Sequence, residues 1–373
     1  MRIGVNARFL LPGGMEGLGL YTQEVLNRMI LAHPDDEFYL YFDRESSWES
    51  PHQGRVTRRV VYPPARHPFL WYLWFEKSLP RKLYKDDLDV FWSPDGFTSL
   101  EYSGKKATVI HDLGFEHYPD HVPFLVGKYY RRFTPQYAHD SDHVFAVSQS
   151  TAADVITSYG VPSDKVSVAY NGVRNGFRPL TSKEKSETKE KYSQGEDYFL
   201  FVGAMHPRKN IEGLLSAFEH YKTKFGGNQK LLITGRKAWL TERISQVLES
   251  MKHKKDVEFL GYLNQDELIQ ITGSAKVCLY LSLFEGFGVP LLEAMTCGVP
   301  VICSNVSCMP EIVGDAGILV PPDQPELISN QIHLLLSQEE MWKEHSEKSL
   351  QRSQDFSWDR TADHVYSKLK EIV

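Results

Sequence analysis

Cysteine is scarce in this chain. Its 373 residues hold only Cys278, Cys297, Cys303 and Cys308, gathered in one short region and never as C-x-x-C. That spacing argues against a disulfide framework or a zinc ribbon and predicts reduced, buried thiols. Long apolar runs are missing as well. No stretch approaches the ~20 residues that a membrane-spanning helix needs, and the opening MRIGVNARFLL turns polar too soon for a signal peptide. A cytoplasmic protein is expected, with peripheral contact at the inner membrane face left open. Positive charge is not in excess: 42 lysines and arginines stand against 48 acids, a net charge of −6. That balance disfavours a dedicated nucleic-acid binder. Repeats and low-complexity tracts are absent. So is the dinucleotide fingerprint. In the loop 12–19, PGGMEGLG, Gly17-Leu18-Gly19 runs on into Leu20, Tyr21 and Thr22 without completing G-x-G-x-x-G. A nicotinamide or flavin cofactor is therefore disfavoured, although glycines there still let a substrate approach the backbone closely.

What is present is the pattern of an ordinary globular protein, 42% hydrophobic and 24% charged, long enough for two or three domains. In the first half, strands are expected at 2–6, 37–42, 56–61, 89–93, 107–110, 144–147 and 166–169. Helices are expected over about 20–31 and over 152–159, the second capped by Ser148, Ser150 or Thr151. His111-Asp112 directly follows one of these strands. The stretch 66–85, RHPFLWYLWFEKSLPRKLYK, mixes aromatic and basic residues at helical spacing. It reads either as a helix packing its aromatic face inward or as a dock for an anionic membrane or lipid-linked acceptor. Asn171-Gly172 turns the chain out of the first domain, and the charge-dense run 181–192 opens the second as a solvated helix. Alternation then resumes, with strands at 198–203, 231–234 and 257–260 and helices over 211–225, 241–251 and 266–272. Two doubly wound α/β domains are implied, over 1–175 and 176–355. A helix within 356–373 follows the polar stretch 337–355 and is placed to pack back on the N-terminal domain.

One segment, 276–317, concentrates the chemical signal. The apolar run 277–283 has the length of a buried strand, and Gly286 and Gly288 then loosen the backbone. Pro290 suits a first helical turn, 291–296 reads as a short helix ended by Gly298, and 299–303 is the next strand. Two carboxylates flank the turn, Glu285 at the strand's carboxyl end and Glu293 inside the helix. Ligands of open α/β sheets bind at such strand ends, and helix N-termini attract phosphate. An ionised carboxylate accepts several hydrogen bonds and so suits hydroxyl-rich groups. A sugar nucleotide offers both features; otherwise Glu293 is a helix-surface acid and Glu285 a turn residue. The loop GAMHPRKN, 203–210, repeats the placement. Arg208 and Lys209 stand before a helix, where an anion is already favoured, so a diphosphate is their natural partner.

These stretches resemble one family over nearly the whole chain. Glu285 and Glu293, within SLFEGFGVPLLEAMTCGVPV, match the Glu-x7-Glu signature of the retaining glycosyltransferases of family 4, which have the GT-B architecture. VGAMHPRKNIEGLLSAF, VIHDLGFEHYPD, AVSQSTAADVITSYGV and VSVAYNGV match in order as well. The likeness is nearest to bacterial mannosyltransferase-like members that build surface polysaccharides. It implies an α/β GT-B fold, two facing Rossmann-like domains with parallel sheets and an interdomain cleft. It also implies transfer of a hexose, first of all mannose from GDP-mannose, otherwise from another GDP- or UDP-sugar. The acceptor would be a hydroxyl of a saccharide or lipid-linked saccharide.

By the same resemblance, Glu285 would contact donor-sugar hydroxyls and Glu293 the ribose. Backbone N–H groups of Gly286, Phe287 and Gly288 would approach the sugar or phosphate, with Gly203 beside them. Arg208 and Lys209 would hold the diphosphate, and 260–263, with Tyr262 and Leu263, would meet the base. His111 would orient the donor sugar, with Asp112 a partner or a brace for its loop. The Gly-rich loop 13–19, with Gly17 as a donor-binding residue, would close over the diphosphate or admit the acceptor. Neither glutamate sits where a nucleophile is expected, so same-face displacement is implied, without a metal and without a cofactor. An epimerase acting on sugar nucleotides, or a binding protein of the same fold without turnover, remains the alternative.

Overall fold

The computed structural model describes residues 1–11, 17–50, 55–236 and 242–373. The chain divides into two compact units, one of residues 1–171 with 357–373 and the other of residues 172–356. The division thus falls a few residues before the expected 175/176.

The N-terminal unit is built on β1 (Arg2–Asn6), β2 (Glu37–Phe42), β3 (Arg55–Val60), β4 (Val90–Ser93), β5 (Lys106–Ile110), β6 (His143–Ala146) and β7 (Val166–Val168). Among the described residues these form one parallel sheet in the order β3-β2-β1-β4-β5-β6-β7. Central strands buried on both faces read as continuous apolar runs, as VFWS and HVFA do. The edge strand β3, RVTRRV, carries arginines that blunt it against further pairing. A helix, Gly17–Ala32, follows β1; Gly17 and Gly19, expected in a loop, already belong to it, while residues 12–16 of that loop lie outside the described residues. The helix Trp358–Ile372 packs on Gly17–Ala32 and against β4 and β6 of this unit.

The aromatic-basic stretch is helical from Pro68 to Asp86, with one π-type segment, Trp74–Ser78, in its middle. Trp74 and Phe75 are fully buried, while Phe69, Tyr72 and Tyr84 face outward. The inward-packing reading therefore holds for the middle of the stretch and not for its whole aromatic content. Glu76 is buried there because it accepts hydrogen bonds from Leu100 N (2.9 Å), Glu101 N (3.3 Å) and the Tyr137 hydroxyl (2.9 Å).

The C-terminal unit holds β8 (Tyr198–Val202), β9 (Lys230–Thr234), β10 (Val257–Gly261), β11 (Val277–Tyr280), β12 (Val301–Ser304) and β13 (Ile318–Val320). All pair parallel, in the order β10-β9-β8-β11-β12-β13. The strand expected over 277–283 ends at Tyr280, because the chain then leaves the sheet to form the turn that carries Glu285. Thr181 opens this unit's first helix, Ser182–Ser193, with a capping box closed by Glu184. The polar stretch 337–355, to which no element was assigned, holds a helix over Glu339–Ser353. Few apolar residues mark it; the ion pairs Lys343–Glu339 (2.6 Å) and Lys348–Glu344 (2.7 Å), one turn apart, support it instead. All four cysteines are buried free thiols. Among the described residues no helix is long and apolar enough to cross a membrane.

Candidate active site

In the C-terminal sheet the strand order reverses at β8: β9 and β10 extend to one side, β11 to β13 to the other. Such a switch point leaves a crevice outside the carboxyl ends of the strands, the usual ligand position in open α/β sheets. Two loops leave the sheet here, 203–210 after β8 and 281–288 after β11. They are tied together by backbone: Leu283 N donates to Arg208 O at 2.7 Å, and Asn210 Nδ2 donates to Leu281 O at 3.0 Å. Asn210, at φ 54°, also caps the helix Ile211–Phe225 by accepting from Gly213 N at 3.2 Å. Asparagine tolerates this left-handed conformation better than most residues.

The backbone is laid bare beside these loops. Gly203, Gly235 and Gly261 stand at or just past the carboxyl ends of β8, β9 and β10. A Cβ on Gly235 would overlap the carbonyl oxygen of Gly203. Only a glycine at 235 lets the ends of β8 and β9 approach this closely.

Arg208, Lys209 and Glu285 form one charge cluster. Lys209 Nζ pairs closely with Glu285 Oε1 and donates to the Tyr280 hydroxyl at 2.7 Å. Arg208 Nη1 donates to Glu285 Oε2 and to Phe284 O, both at 3.3 Å. Glu285 is 5% exposed. Burial by itself drives its carboxyl upward, yet the Lys209 ammonium and the Arg208 guanidinium outweigh that and hold it below the usual carboxylate range. Tyr280 moves the other way: burial and the nearby Glu285 push its hydroxyl well up, so it stays protonated. Ser307, itself left-handed at φ 58°, receives the Glu285 N–H at 3.2 Å and donates back to Glu285 O. Arg208 and Lys209 stand just before the helix Ile211–Phe225, as expected, in a 3-10 turn, Pro207–Lys209, that leads into the Asn210 cap.

Glu293 is not the surface acid its helix position allowed. It is 1% exposed, and Arg174 Nε donates to it at 2.6 Å. Burial raises its carboxyl above the ordinary range, and Arg174 offsets part of that rise. Gly288, at φ 87°, supplies the left-handed turn into the helix Val289–Thr296. Phe287 is buried edge-on against Phe356, ring centroids 5.6 Å apart. Gly286 is buried too. Tyr262 is 70% exposed just beyond β10, and Leu263 packs against the core. Arg174, Tyr280 and Ser307 were not anticipated; Arg174 meets Glu293 across 119 residues, Ser307 meets Glu285 across 22, and Tyr280 joins through Lys209, 71 residues away, so no local spacing marks these contacts.

The N-terminal unit has its own switch point, between β1 and β4, and His111 follows β5 there. Its Nε2 lies 2.8 Å from Pro94 O. A carbonyl can only accept, so Nε2 carries the hydrogen. Burial lowers the imidazole's pKa, which keeps the ring neutral and leaves Nδ1 as an acceptor. Asp112 Oδ1 accepts from Gly114 N at 2.8 Å, so it braces the turn that follows. Gly17 is the exposed first residue of its helix. Among the described residues, no group of three or more His, Cys, Asp or Glu side chains could hold a metal ion.

Comparison with solved structures places both units in one fold. A sucrose-phosphate synthase from Thermosynechococcus elongatus superposes with a TM-score of 0.78 at 17% identity, covering 100% of this chain and 98% of that one. Anabaena HepE, solved with UDP and glucose, gives 0.74 at 16% identity over 99% of each chain. The fold is that of the GT-B glycosyltransferases. Residues 30–175 match the family described as Glycosyltransferase Family 4, and residues 182–352 match Glycosyl transferases group 1. An O-antigen chain mannosyltransferase B from Escherichia coli is 27% identical over 95% of this chain and 96% of its own. A serotype-specific mannosyltransferase from the same organism is 31% identical over 60% of this chain, which spans 28% of that longer protein. The chain belongs to the family 4 glycosyltransferases and is similar to their bacterial mannosyltransferases.

Proposed function

We propose that the protein is a retaining hexosyltransferase that uses a sugar nucleotide, first of all GDP-mannose, and extends a saccharide or lipid-linked saccharide during surface polysaccharide assembly on the cytoplasmic side of the membrane. One observation carries this reading: Arg208 and Lys209 converge with Glu285 at the switch point of the C-terminal sheet. The cluster holds two cations and one carboxylate, so it retains a positive charge for a diphosphate. The HepE structure with UDP and glucose supports a sugar nucleotide as the partner, and the O-antigen mannosyltransferase supports the sugar.

In the reaction, an acceptor hydroxyl oxygen bonds to the anomeric carbon on the face that the diphosphate leaves. The bond from that carbon to phosphate oxygen breaks, and the departing phosphate takes the acceptor's proton. Glu285, fixed by Lys209, holds donor-sugar hydroxyls and is no nucleophile. Arg208 and Lys209 stabilise the charge growing on the leaving group, which supplies the electrostatic assistance without a metal ion. Glu293, oriented by Arg174, holds the ribose; Gly203, Gly286 and Gly288 admit the phosphate and sugar to the backbone. Tyr262 and Leu263 flank the base, and His111 orients the donor sugar.

The test is transfer from a panel of GDP- and UDP-sugars by the purified protein and by Arg208→Ala. Loss of about a hundredfold in kcat is expected for one preorganised donor removed. Full activity in a folded Arg208→Ala protein overturns the diphosphate assignment. A new sugar nucleotide formed from donor alone overturns transfer in favour of epimerisation.

A further inference from the structure

Arg8 is a buried charge outside the Arg208–Lys209–Glu285 cluster. It follows β1 at the N-terminal unit's switch point and is 4% exposed. Its Nε donates to Asp95 Oδ2 at 2.5 Å, and Asp95 follows β4 on the other side of that point. Three rings enclose the guanidinium: its carbon lies 4.7 Å from the centroid of Phe9, 5.1 Å from Phe75 and 5.0 Å from Phe97. Among the described residues, neither Nη1 nor Nη2 has a hydrogen-bond partner, and neither is wholly sealed from solvent. A buried guanidinium that leaves its outer fork unused is uncommon, because each unpaired donor costs free energy.

Asp95 cannot be what the fork awaits. Its carboxylate already accepts from Asn6 Nδ2 (2.8 Å), Arg8 Nε (2.5 Å), Ser93 Oγ (3.3 Å) and Phe97 N (3.2 Å). That network holds Arg8 through Nε and leaves its two terminal nitrogens outside it. A second donor stands nearby. Tyr130, whose ring centroid is 5.4 Å from that of Phe97, has no hydrogen-bond partner for its hydroxyl among the described residues. That hydroxyl feels the charges of Arg8, Asp95 and Asp112, and burial raises its pKa, so it remains an O–H. Trp71 and Phe115 complete an aromatic wall around Tyr130, with centroids at 5.6 and 5.1 Å.

Charge decides the ligand. One guanidinium, Arg8, and two carboxylates, Asp95 and Asp112, act on the Tyr130 hydroxyl, so the charge around it is not positive and does not favour an anion. A neutral polyol fits instead. Two parallel N–H donors match adjacent hydroxyl oxygens on a sugar ring, and aromatic faces cover the ring's apolar C–H surface. We propose that Arg8, held by Asp95, and the Tyr130 hydroxyl form a binding subsite for a neutral saccharide ring of the acceptor. This rests on the glycosyl-transfer reading above.

Kinetics separate acceptor from donor. Arg8→Lys keeps the charge on Asp95 and removes the fork; Tyr130→Phe removes only a hydroxyl. Melting curves establish that each is folded. Wild-type transfer is measured first, and its absence defeats the proposed function, not the subsite. With wild type active, acceptor KM should rise about tenfold in Arg8→Lys and roughly fivefold in Tyr130→Phe, the scale of one lost hydrogen bond. Donor affinity, read by nucleotide-induced thermal shift, should stay put. An unchanged acceptor KM in folded Tyr130→Phe overturns the subsite, as does a fall in donor affinity matching any rise in acceptor KM. An uronic-acid acceptor binding better than its neutral counterpart overturns the assignment to a neutral ring.

Discussion

The two switch points use the same ingredients to opposite ends. In the C-terminal unit two cations share one buried carboxylate, and the surplus is positive. In the N-terminal unit one guanidinium is held by one carboxylate with a second close by, and the surplus is negative. Both place a basic side chain just past a central strand, and both lock it with an acid from the other side of the reversal. The same strand reversal thus supplies a position in both sheets, while on the proposed reading the count of charges is what separates a phosphate site from one for a neutral sugar.

The sharpest way to break that contrast is to unbalance each site. Lys209→Met leaves Glu285 buried with Arg208, at 3.3 Å, as its remaining cation. Transfer should fall at least about a hundredfold, and calorimetry should show a loss of roughly 3 kcal/mol from the stranded charge. A folded Lys209→Met protein with unchanged kcat would show that the cluster is only structural.

A smaller effect should appear in acid. Glu293 carries a raised pKa in the fold, so protonation begins at higher pH than for an exposed carboxylate. Protonated, it loses acceptor capacity, and nucleotide affinity should weaken as pH falls through that raised value. Isothermal titration between pH 7.5 and 5 should show about a tenfold loss, flattened in Glu293→Gln. Affinity independent of pH would place the ribose elsewhere.

The smallest expected effect concerns stability and lies in the N-terminal unit. Burial, with Lys368 and His364 beside it, lowers His143 to about 4 from the ordinary imidazole value of 6.5. Its folded pKa is depressed, so the unfolded chain takes up the proton first. The stabilisation is complete above the unfolded value and is lost as pH drops from about 6.5 towards 4. Melting temperature should fall by a few degrees between pH 7 and 5, and His143→Asn should abolish most of that slope. A slope unchanged in His143→Asn would assign it to other groups.

Much of this architecture was legible because strand and helix periods alternate cleanly in both halves. The helix Ile211–Phe225 shows an apolar stripe and an Asn210 cap, and both ends are readable from residue types. Glu339–Ser353 is not, since its support comes from ion pairs between side chains one turn apart. The helix Phe124–Asp140 hides for another reason: it runs through Pro135, a residue that locally argues against a helix interior. At the sites, the loops were legible and the locks were not. Glu285 and Arg208 stand in glycine- and proline-marked turns, whereas Arg174 meets Glu293 across 119 residues and Arg8 meets Asp95 across 87. Spacing rules reach one turn or one strand. They do not reach across a fold.

The helix Trp358–Ile372 carries a consequence for how the protein is made. It buries Trp358, Ala362, Val365 and Leu369 against the N-terminal unit, and Thr361 Oγ1 donates to Tyr170 O at 2.6 Å. Residues 172–356, by contrast, form their unit without interruption. On a ribosome, the unit whose synthesis starts first must wait, part of its apolar face uncovered, while the whole of the other emerges. The stretch translated second is the first able to finish folding. During that interval the N-terminal sheet is the segment a chaperone has most reason to hold.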